Sequence, residues 1–211
     1  MELKLPSTLT VEAVRELRRA VTVADEAITL VGGCAGLDLE ALGRGDLEAA
    51  TATLTEMAAL LTQLVQGPQV VFAHVTADVS GGGLLVAAAD FVVADPGVRF
   101  DLPELVLGLA PSTVLPVVER RIGPARARRL AIGPAIDAET ALDWGLVDSL
   151  DAEALSVMKK RSRRFCPRAV AALRGPRPEV PHTSTLALLP SAVDRVRRFL
   201  DGDAPWEDPC A

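Results

Sequence analysis

The chain has 211 residues, of which 49% are hydrophobic and 24% charged, and its formal net charge is -6. This length and composition are typical of one globular domain with a sizeable core, so we predict a single domain over residues 1–211. The acidic balance argues against nucleic acid as the main partner, because phosphate binding requires a basic surface. We expect no membrane partner, because no apolar run nears the length of a membrane span and the first ten residues lack an apolar leader core.

Cysteine usage and hydropathy suggest where the protein works and how it assembles. The three cysteines, Cys34, Cys166 and Cys210, form an odd number without the spacing of a metal site. Reduced thiols in the cytoplasm are the simplest explanation, so we expect a cytoplasmic protein without a bound metal. The mean hydropathy of +0.28 is high for a monomer and favours surfaces buried between subunits.

The first hundred residues predict alternating helices and apolar strands. The spacing of apolar residues indicates helices at 8–21 and 46–65, and Thr8 or Thr10 can cap the first of them. Short apolar runs predict strands at 3–5, 27–31, 70–75, 91–94 and 98–100. This alternation is typical of an α/β domain with buried sheets.

The chemically most distinctive stretch covers residues 69–116. Three consecutive glycines at 81–83 follow a strand, and a helical pattern of small residues runs from there to Ala89. Glycines let a ligand approach the backbone closely, and N–H groups at the start of a helix stabilise negative charge. The stretch therefore predicts a cradle for an anion or a developing oxyanion.

The remainder of the chain is predicted to be mostly helical. We expect helices at 114–122 and 124–132, and a third at 137–144 that begins at the N-cap Asp137 and stops at Gly145. A short strand is predicted at 146–150, a basic helix at 151–174, a proline-rich link at 175–181 and a last amphipathic helix at 191–200.

Basic residues are concentrated in two parts of this helical region. They are Arg120, Arg121, Arg126, Arg128 and Arg129 in the first part and Lys159, Lys160, Arg161, Arg163, Arg164 and Arg168 in the second. We interpret them as solvated helix faces, with attraction of an anionic cofactor arm or an acidic carrier protein as the functional alternative.

Four motifs in a fixed order resemble the crotonase, or enoyl-CoA hydratase/isomerase, superfamily. They are CAGLDL at 34–39, SGGGLLVAAAD at 80–90, FDLPELVLGLAP at 100–111 and AIDAETALDWGLVDSL at 135–150. The resemblance covers most of the chain. It implies a crotonase-like ββα spiral over residues 1–150, C-terminal helices over 151–211, and a homotrimer or hexamer.

The resemblance also implies an acyl thioester substrate and a set of site residues. The acyl group would be carried by coenzyme A or by the phosphopantetheine arm of an acyl carrier protein, without a separate cofactor. The N–H groups of Leu37 and Gly82 would form an oxyanion hole, and Glu104 would be the catalytic base. The substrate pocket would include Ala35, Asp78, Leu85 and Leu109.

One departure from the family pattern decides the predicted reaction. Family hydratases hold water with two glutamates, but this chain has Leu85 at the first position and keeps only Glu104. A single desolvated glutamate suits proton transfer, so we predict an enoyl thioester double-bond isomerase and expect hydration to be lost. The alternatives are a decarboxylase of a carrier-bound glutaconyl-type thioester in secondary metabolism and a catalytically reduced scaffold subunit.

Other chemically active residues have simpler interpretations. His74 lies in an apolar strand and is expected to be a satisfied core histidine. His182, which follows the proline-rich link, is expected to be solvated, with a place in the active site, as the late histidine of family decarboxylases has, as the alternative. Cys34 is expected to be an apolar filler, and Asp78 to stabilise a turn unless it faces the pocket. Neither Ser80 nor Ser112 lies in a nucleophile elbow, which argues against a serine hydrolase.

Overall fold

The computed structural model describes residues 1–165, 170, 192–194 and 196–202. Its strands are β1 (Glu2–Lys4), β2 (Ile28–Val31), β3 (Val71–Val75), β4 (Val79–Ser80), β5 (Phe91–Ala94), β6 (Arg99–Asp101) and β7 (Ile136–Asp137). Its α-helices are α1 (Val11–Val23), α2 (Leu39–Gly43), α3 (Leu47–Gln66), α4 (Leu115–Ile122), α5 (Pro124–Ile132), α6 (Ala138–Trp144) and α7 (Ala152–Ser162). Two 3₁₀ helices complete the set, the glycine helix (Gly81–Ala88) and the glutamate helix (Pro103–Leu107).

The main sheet is parallel and has the strand order β1-β2-β3-β5. Its strands are short apolar runs, as expected for a parallel sheet that is covered on its faces. Ile28 pairs with Val71, and Phe72 pairs with Phe91. The α/β class predicted from the sequence is confirmed by this sheet and the helices that connect its strands.

A second sheet of three short strands, in the order β4-β6-β7, positions the two 3₁₀ helices. Strands β4 and β6 are parallel, and Ser80 pairs with Asp101. The glycine helix begins directly after β4, and the glutamate helix begins two residues after β6. Because both strands run in the same direction, the two helices start at the same edge of this sheet.

The long helices begin where their capping residues predict. The Thr10 hydroxyl accepts a hydrogen bond from the Ala13 N–H at the start of α1, and Asp46 accepts one from the Ala49 N–H at the start of α3. The two helices pack against each other, and Glu56 of α3 forms ion pairs with arginines of α1.

The region that follows α6 differs from its prediction. Residues 146–150 contain no strand and contribute only an isolated bridge between Val93 and Ser149. Arg121 holds this segment instead, because its guanidinium donates to the backbone oxygens of Leu146 (2.7 Å) and Ala89 (2.8 Å) and pairs with Asp148. The strand predicted from apolar composition is therefore wrong, and Arg121 is a structural clamp rather than part of a solvated basic face.

The C-terminal prediction is met in part. Helix α7 ends at Ser162, and residues 163–165 are not helical, whereas residue 170 is helical and the other residues of 166–174 lie outside the described part of the chain. Residues 192–194 and 196–200 are helical as predicted. Ala192 and Val196 are buried in a cluster that includes Leu42 of α2 and Leu54 of α3. The proline-rich link at 175–181 and His182 lie outside the described residues. No helix in the described part of the chain has the length and apolar character that a bilayer crossing needs.

Candidate active site

A cavity of about 320 Å³ lies where the two 3₁₀ helices meet. Its wall is mostly apolar and includes Leu37, Leu39, Leu54, Met57, Val106, Leu107 and Leu109. Its polar side chains are Ser80, Asp101, Glu104 and Thr113. Phe199, from the last described helical segment, also lines it. An apolar enclosure with few polar groups suits an acyl chain better than a charged ligand.

The first turn that borders the cavity contains Gly36 and Leu37. Gly36 has a φ of 89°, which favours glycine, and its carbonyl accepts a hydrogen bond from the Leu9 N–H at 2.7 Å. The Asp38 N–H donates to the Leu9 carbonyl. Between these two bonds, the Leu37 N–H donates to no group in the described residues, so it is available to a ligand.

The second turn is the beginning of the glycine helix. The sequence predicts a helical pattern from the three glycines to Ala89, and the structure has a 3₁₀ helix over Gly81–Ala88 whose first turn is formed by these glycines. The first N–H groups of a 3₁₀ helix have no carbonyl from a preceding turn to bond. The Gly82 N–H is therefore also available at the cavity.

Close packing holds the two turns together. A methyl group on Gly36 would lie 2.9 Å from the Ser80 carbonyl oxygen and 3.2 Å from the Gly82 nitrogen. One on Gly83 would lie 2.4 Å from the Cys34 carbonyl oxygen. Only glycines allow this approach, which brings the Leu37 and Gly82 backbones to one end of the cavity. This arrangement is the one that a two-donor oxyanion hole requires, although that role stays a prediction.

Glu104 is the ionisable group that the fold perturbs most at this site. Its Oε2 is buried and has no hydrogen-bond partner in the described residues, and its Oε1 would lie 2.9 Å from a methyl group on Gly81. Burial raises the pKa of Glu104 to about 7, and the charge of Asp101 contributes in the same direction. A carboxyl group with this pKa can both accept and donate a proton at neutral pH.

Three polar residues that line the cavity, Ser80, Asp101 and Thr113, are absent from the predicted site. Asp101 is half-buried, and its Oδ1 accepts a hydrogen bond from the Leu102 N–H at 2.9 Å. Thr113 is only 3% exposed, and its Oγ1 has no partner in the described residues. Asp101 could have been suspected from the motif FDLPE, but nothing in the sequence distinguishes Thr113 from a turn residue.

The structure corrects two of the predicted pocket residues. Ala35 and Leu109 line the cavity, but Leu85 and Asp78 do not. Leu85 is 0% exposed and points into the main core, because it falls on the buried side of the glycine helix. Asp78 lies outside the cavity, and its Oδ1 accepts a hydrogen bond from the Arg99 N–H at 2.8 Å.

The simpler interpretations of His74 and Cys34 agree with the structure. His74 is hydrogen-bonded to Asp95 at 2.8 Å and lies away from the cavity. Cys34 is 2% exposed, and burial raises the pKa of its thiol, so it does not carry a nucleophilic thiolate.

Comparison with known proteins agrees with the four motifs. A sequence model of the enoyl-CoA hydratase/isomerase family matches residues 7–173. The bacillaene synthase dehydratase PksH of Bacillus subtilis is 32% identical over 167 residues, which are 71% of this chain and 64% of that protein. The probable enoyl-CoA hydratase EchA17 of Mycobacterium tuberculosis is 32% identical over 176 residues, or 78% of this chain and 67% of that protein. The match thus spans less than two thirds of the length of the first of these relatives.

Solved structures share the fold along nearly the whole chain. The crystal structure of PksH from Bacillus subtilis has a TM-score of 0.79 and 23% identity, and the match covers 95% of this chain and 92% of that one. The enoyl-CoA hydratase of Bacillus halodurans has a TM-score of 0.81 and 18% identity, with 94% and 95% covered. These matches confirm the crotonase-like fold that the sequence predicts.

Proposed function

Because this chain belongs to the enoyl-CoA hydratase/isomerase family, we propose that it is an enzyme that acts on an acyl thioester through an enolate intermediate. The single observation that carries the proposal is the Glu104 carboxyl group, whose buried Oε2 has no hydrogen-bond partner among the described residues and which lines the same apolar cavity as Leu37 and Gly82. The acyl group would be carried by coenzyme A or by the phosphopantetheine arm of an acyl carrier protein.

The proposed chemistry begins with charge stabilisation at the thioester oxygen. The Leu37 and Gly82 N–H groups would donate to this oxygen, each contributing about 3 kcal/mol to the transition state. Their donation lowers the energy of the enolate that forms when a proton leaves the α-carbon. The apolar wall of the cavity would exclude water and hold the acyl chain beside Glu104.

Within this class, the leading reaction is the reversible removal of water from a β-hydroxyacyl thioester. The names of the relatives support this proposal, since they describe a dehydratase and a hydratase. The sequence alone favours isomerisation, because position 85 lacks the second glutamate. Asp101 and Thr113 also line the cavity and provide polar groups that can hold a water or a hydroxyl group. Their presence favours dehydration over isomerisation.

The proposed step needs only one acid/base group. The Glu104 carboxylate takes the α-proton, and the enolate then expels the β-oxygen while Glu104 returns that proton to it. A C–H bond and a C–O bond break, and an O–H bond and a C=C bond form. The products are the enoyl thioester and water, and Glu104 ends as the carboxylate with which it began.

Double-bond isomerisation is the second candidate, and the buried Leu85 favours it, because the glycine helix supplies no carboxylate that could hold water. In this reaction Glu104 would take a proton from the α-carbon of a β,γ-enoyl thioester and return it to the γ-carbon, which gives the α,β-enoyl thioester. Decarboxylation of a glutaconyl-type thioester would need the two N–H donors but no strong base. A scaffold subunit would catalyse none of these reactions.

A screen of thioesters tests the proposal. β-Hydroxyacyl, β,γ-enoyl and glutaconyl thioesters, each on coenzyme A and on a carrier protein, are incubated with the enzyme and followed by liquid chromatography, which separates isomers, coupled to mass spectrometry. Loss of water that depends on Glu104 supports dehydration, conversion without mass change supports isomerisation, and loss of CO₂ supports decarboxylation. Absence of all three reactions and of α-proton exchange with heavy water would overturn the enzymatic proposal.

A further inference from the structure

The Thr113 hydroxyl group is buried without a partner at the wall of the cavity. Thr113 is 3% exposed and lies in the turn between Pro111 and α4. No group in the described residues forms a hydrogen bond with its Oγ1. Buried hydroxyl groups in proteins normally have a partner, because leaving one without a partner costs free energy of folding.

The surroundings of Thr113 would suit an apolar residue of the same size. Pro111 and Val114 line the same cavity, and Val114 is buried together with Val117 and Val118 of α4. A valine at position 113 would fill nearly the same volume without burying an unpaired hydroxyl group. The hydroxyl group is thus unfavourable for folding in the free protein. A bound ligand or water that forms a hydrogen bond with it would explain its presence.

A second unpaired group lines the same cavity. Glu104 Oε2 is also buried and without a partner in the described residues. Thr113 is held by the turn before α4 and Glu104 by the glutamate helix, so the two groups come from different segments. Two unpaired polar atoms on one apolar cavity are the pattern expected when a ligand supplies the missing partners.

We propose that the Thr113 hydroxyl group binds the oxygen on the β-carbon of the substrate, so that Thr113 selects β-hydroxyacyl thioesters over thioesters without that oxygen. The proposal rests on the dehydration chemistry above and adds to it the group that recognises the leaving oxygen. The Thr113 hydroxyl group donates a hydrogen bond to this oxygen or accepts one from it, while Glu104 transfers the proton from the α-carbon to the same oxygen. A ligand with the β-oxygen gains a hydrogen bond to this hydroxyl group that a ligand without the oxygen cannot form, which gives the selectivity.

The test compares two ligands that differ by one oxygen. 3-Hydroxybutyryl-pantetheine and butyryl-pantetheine are titrated by calorimetry into the protein with Glu104→Gln, which slows turnover during the measurement. With Thr113 in place, we expect the hydroxylated ligand to bind about tenfold more tightly, as one neutral hydrogen bond gives. Thr113→Val should abolish this preference by weakening the hydroxylated ligand alone, and Thr113→Ser should keep it.

Folding is checked in the same variants. Thr113→Val should have an unchanged or higher melting temperature, since it removes an unpaired buried hydroxyl group. An undiminished preference in folded Thr113→Val, or equal weakening of both ligands, would overturn the assignment. No preference in the parent protein, or no binding of either ligand, would also overturn it.

Turnover of the protein with Glu104 intact separates this inference from the proposed reaction. If the binding preference depends on Thr113 but no β-hydroxyacyl thioester loses water, the proposed dehydration is overturned. The binding role of Thr113 then stands. If Thr113→Val does not affect the loss of water, the proposed dehydration stands and Thr113 has no part in the reaction.

Discussion

The two 3₁₀ helices that border the cavity contribute to it in opposite ways. In the glycine helix almost every residue is buried, and its contribution is a backbone N–H whose place is determined by close packing. In the glutamate helix Leu105 and Val106 are 45% and 42% exposed, and its polar contribution is the side-chain carboxyl group of Glu104. Substitutions in the glycine helix should therefore alter stability and activity together, whereas substitutions of Glu104 should lower activity without loss of stability.

The largest effect is expected when a carboxylate is placed in the glycine helix. Leu85→Glu would restore the glutamate that family hydratases have at this position, but Leu85 is fully buried in the core here. An unpaired charge at such a site costs several kcal/mol, so we expect a strong fall in the melting temperature and no gain of hydration activity. Leu85→Met, which keeps the volume, should cost less than about 1.5 kcal/mol. A stable and active Leu85→Glu protein would show that this position faces the substrate.

The second-largest effect is expected for substitution of Glu104, which should lower the rate of catalysis without loss of stability. Glu104→Gln should reduce turnover by about 10² or more, because a positioned general acid/base group contributes 10²–10⁴ to the rate. Initial rates on the thioester that the screen identifies measure the effect. Glu139→Gln, which changes an exposed glutamate on α6, is the control and should leave the rate unchanged. Equal rates for the Glu104→Gln and wild-type proteins would remove Glu104 from the reaction.

The pH dependence of folding follows from the same carboxyl group. Burial raises the pKa of Glu104 from 4.5 to about 7, so between these values the folded protein holds a proton that the unfolded chain releases. The contribution of Glu104 to the free energy of unfolding is therefore greatest below pH 4.5 and falls as the pH rises to about 7, by at most about 3 kcal/mol.

Glu104→Gln removes this dependence. Denaturant unfolding of both proteins at several pH values measures it, and the variant should become the more stable of the two as the pH passes 7. A difference between the proteins that is constant over this range would mean that the pKa of Glu104 is not raised.

The smallest predicted effect comes from a matched pair of glycines. Gly36 and Gly97 have φ angles of 89° and 90°, but a methyl group on Gly36 would meet backbone atoms and one on Gly97 would meet nothing within 4 Å. Both alanine variants bear the backbone strain of about 1 kcal/mol, and only Gly36→Ala must also displace Ser80 or Gly82. We expect Gly36→Ala to be the less stable by about 1–3 kcal/mol and to lose activity, while Gly97→Ala stays active. Equal activities would contradict a tight fit between the two turns.

Local signals predicted the long elements of this fold well. Thr10, Asp46 and Asp137 are the N-caps of α1, α3 and α6, and Gly145 is the C-cap of α6, since capping depends on neighbouring residues alone. The strands β4 and β7 are two residues long, too short to produce a periodic pattern, and the sequence did not reveal them. Residues 146–150 have the composition of a strand, yet no neighbouring strand pairs with them as a ladder.

The sequence by itself determined which residues are predicted to bring chemistry to the site: the glycines at 81–83, the turn at Leu37 and the single Glu104. Only the tertiary structure decided where these residues lie relative to one another. The parallel pairing of Ser80 with Asp101 brings the two 3₁₀ helices to one cavity, and burial sets the pKa of Glu104. The same packing hides Leu85, places Asp78 outside the cavity and leaves the Thr113 hydroxyl group unpaired. Pairing and burial depend on residues far apart in the chain, so no local pattern contains them.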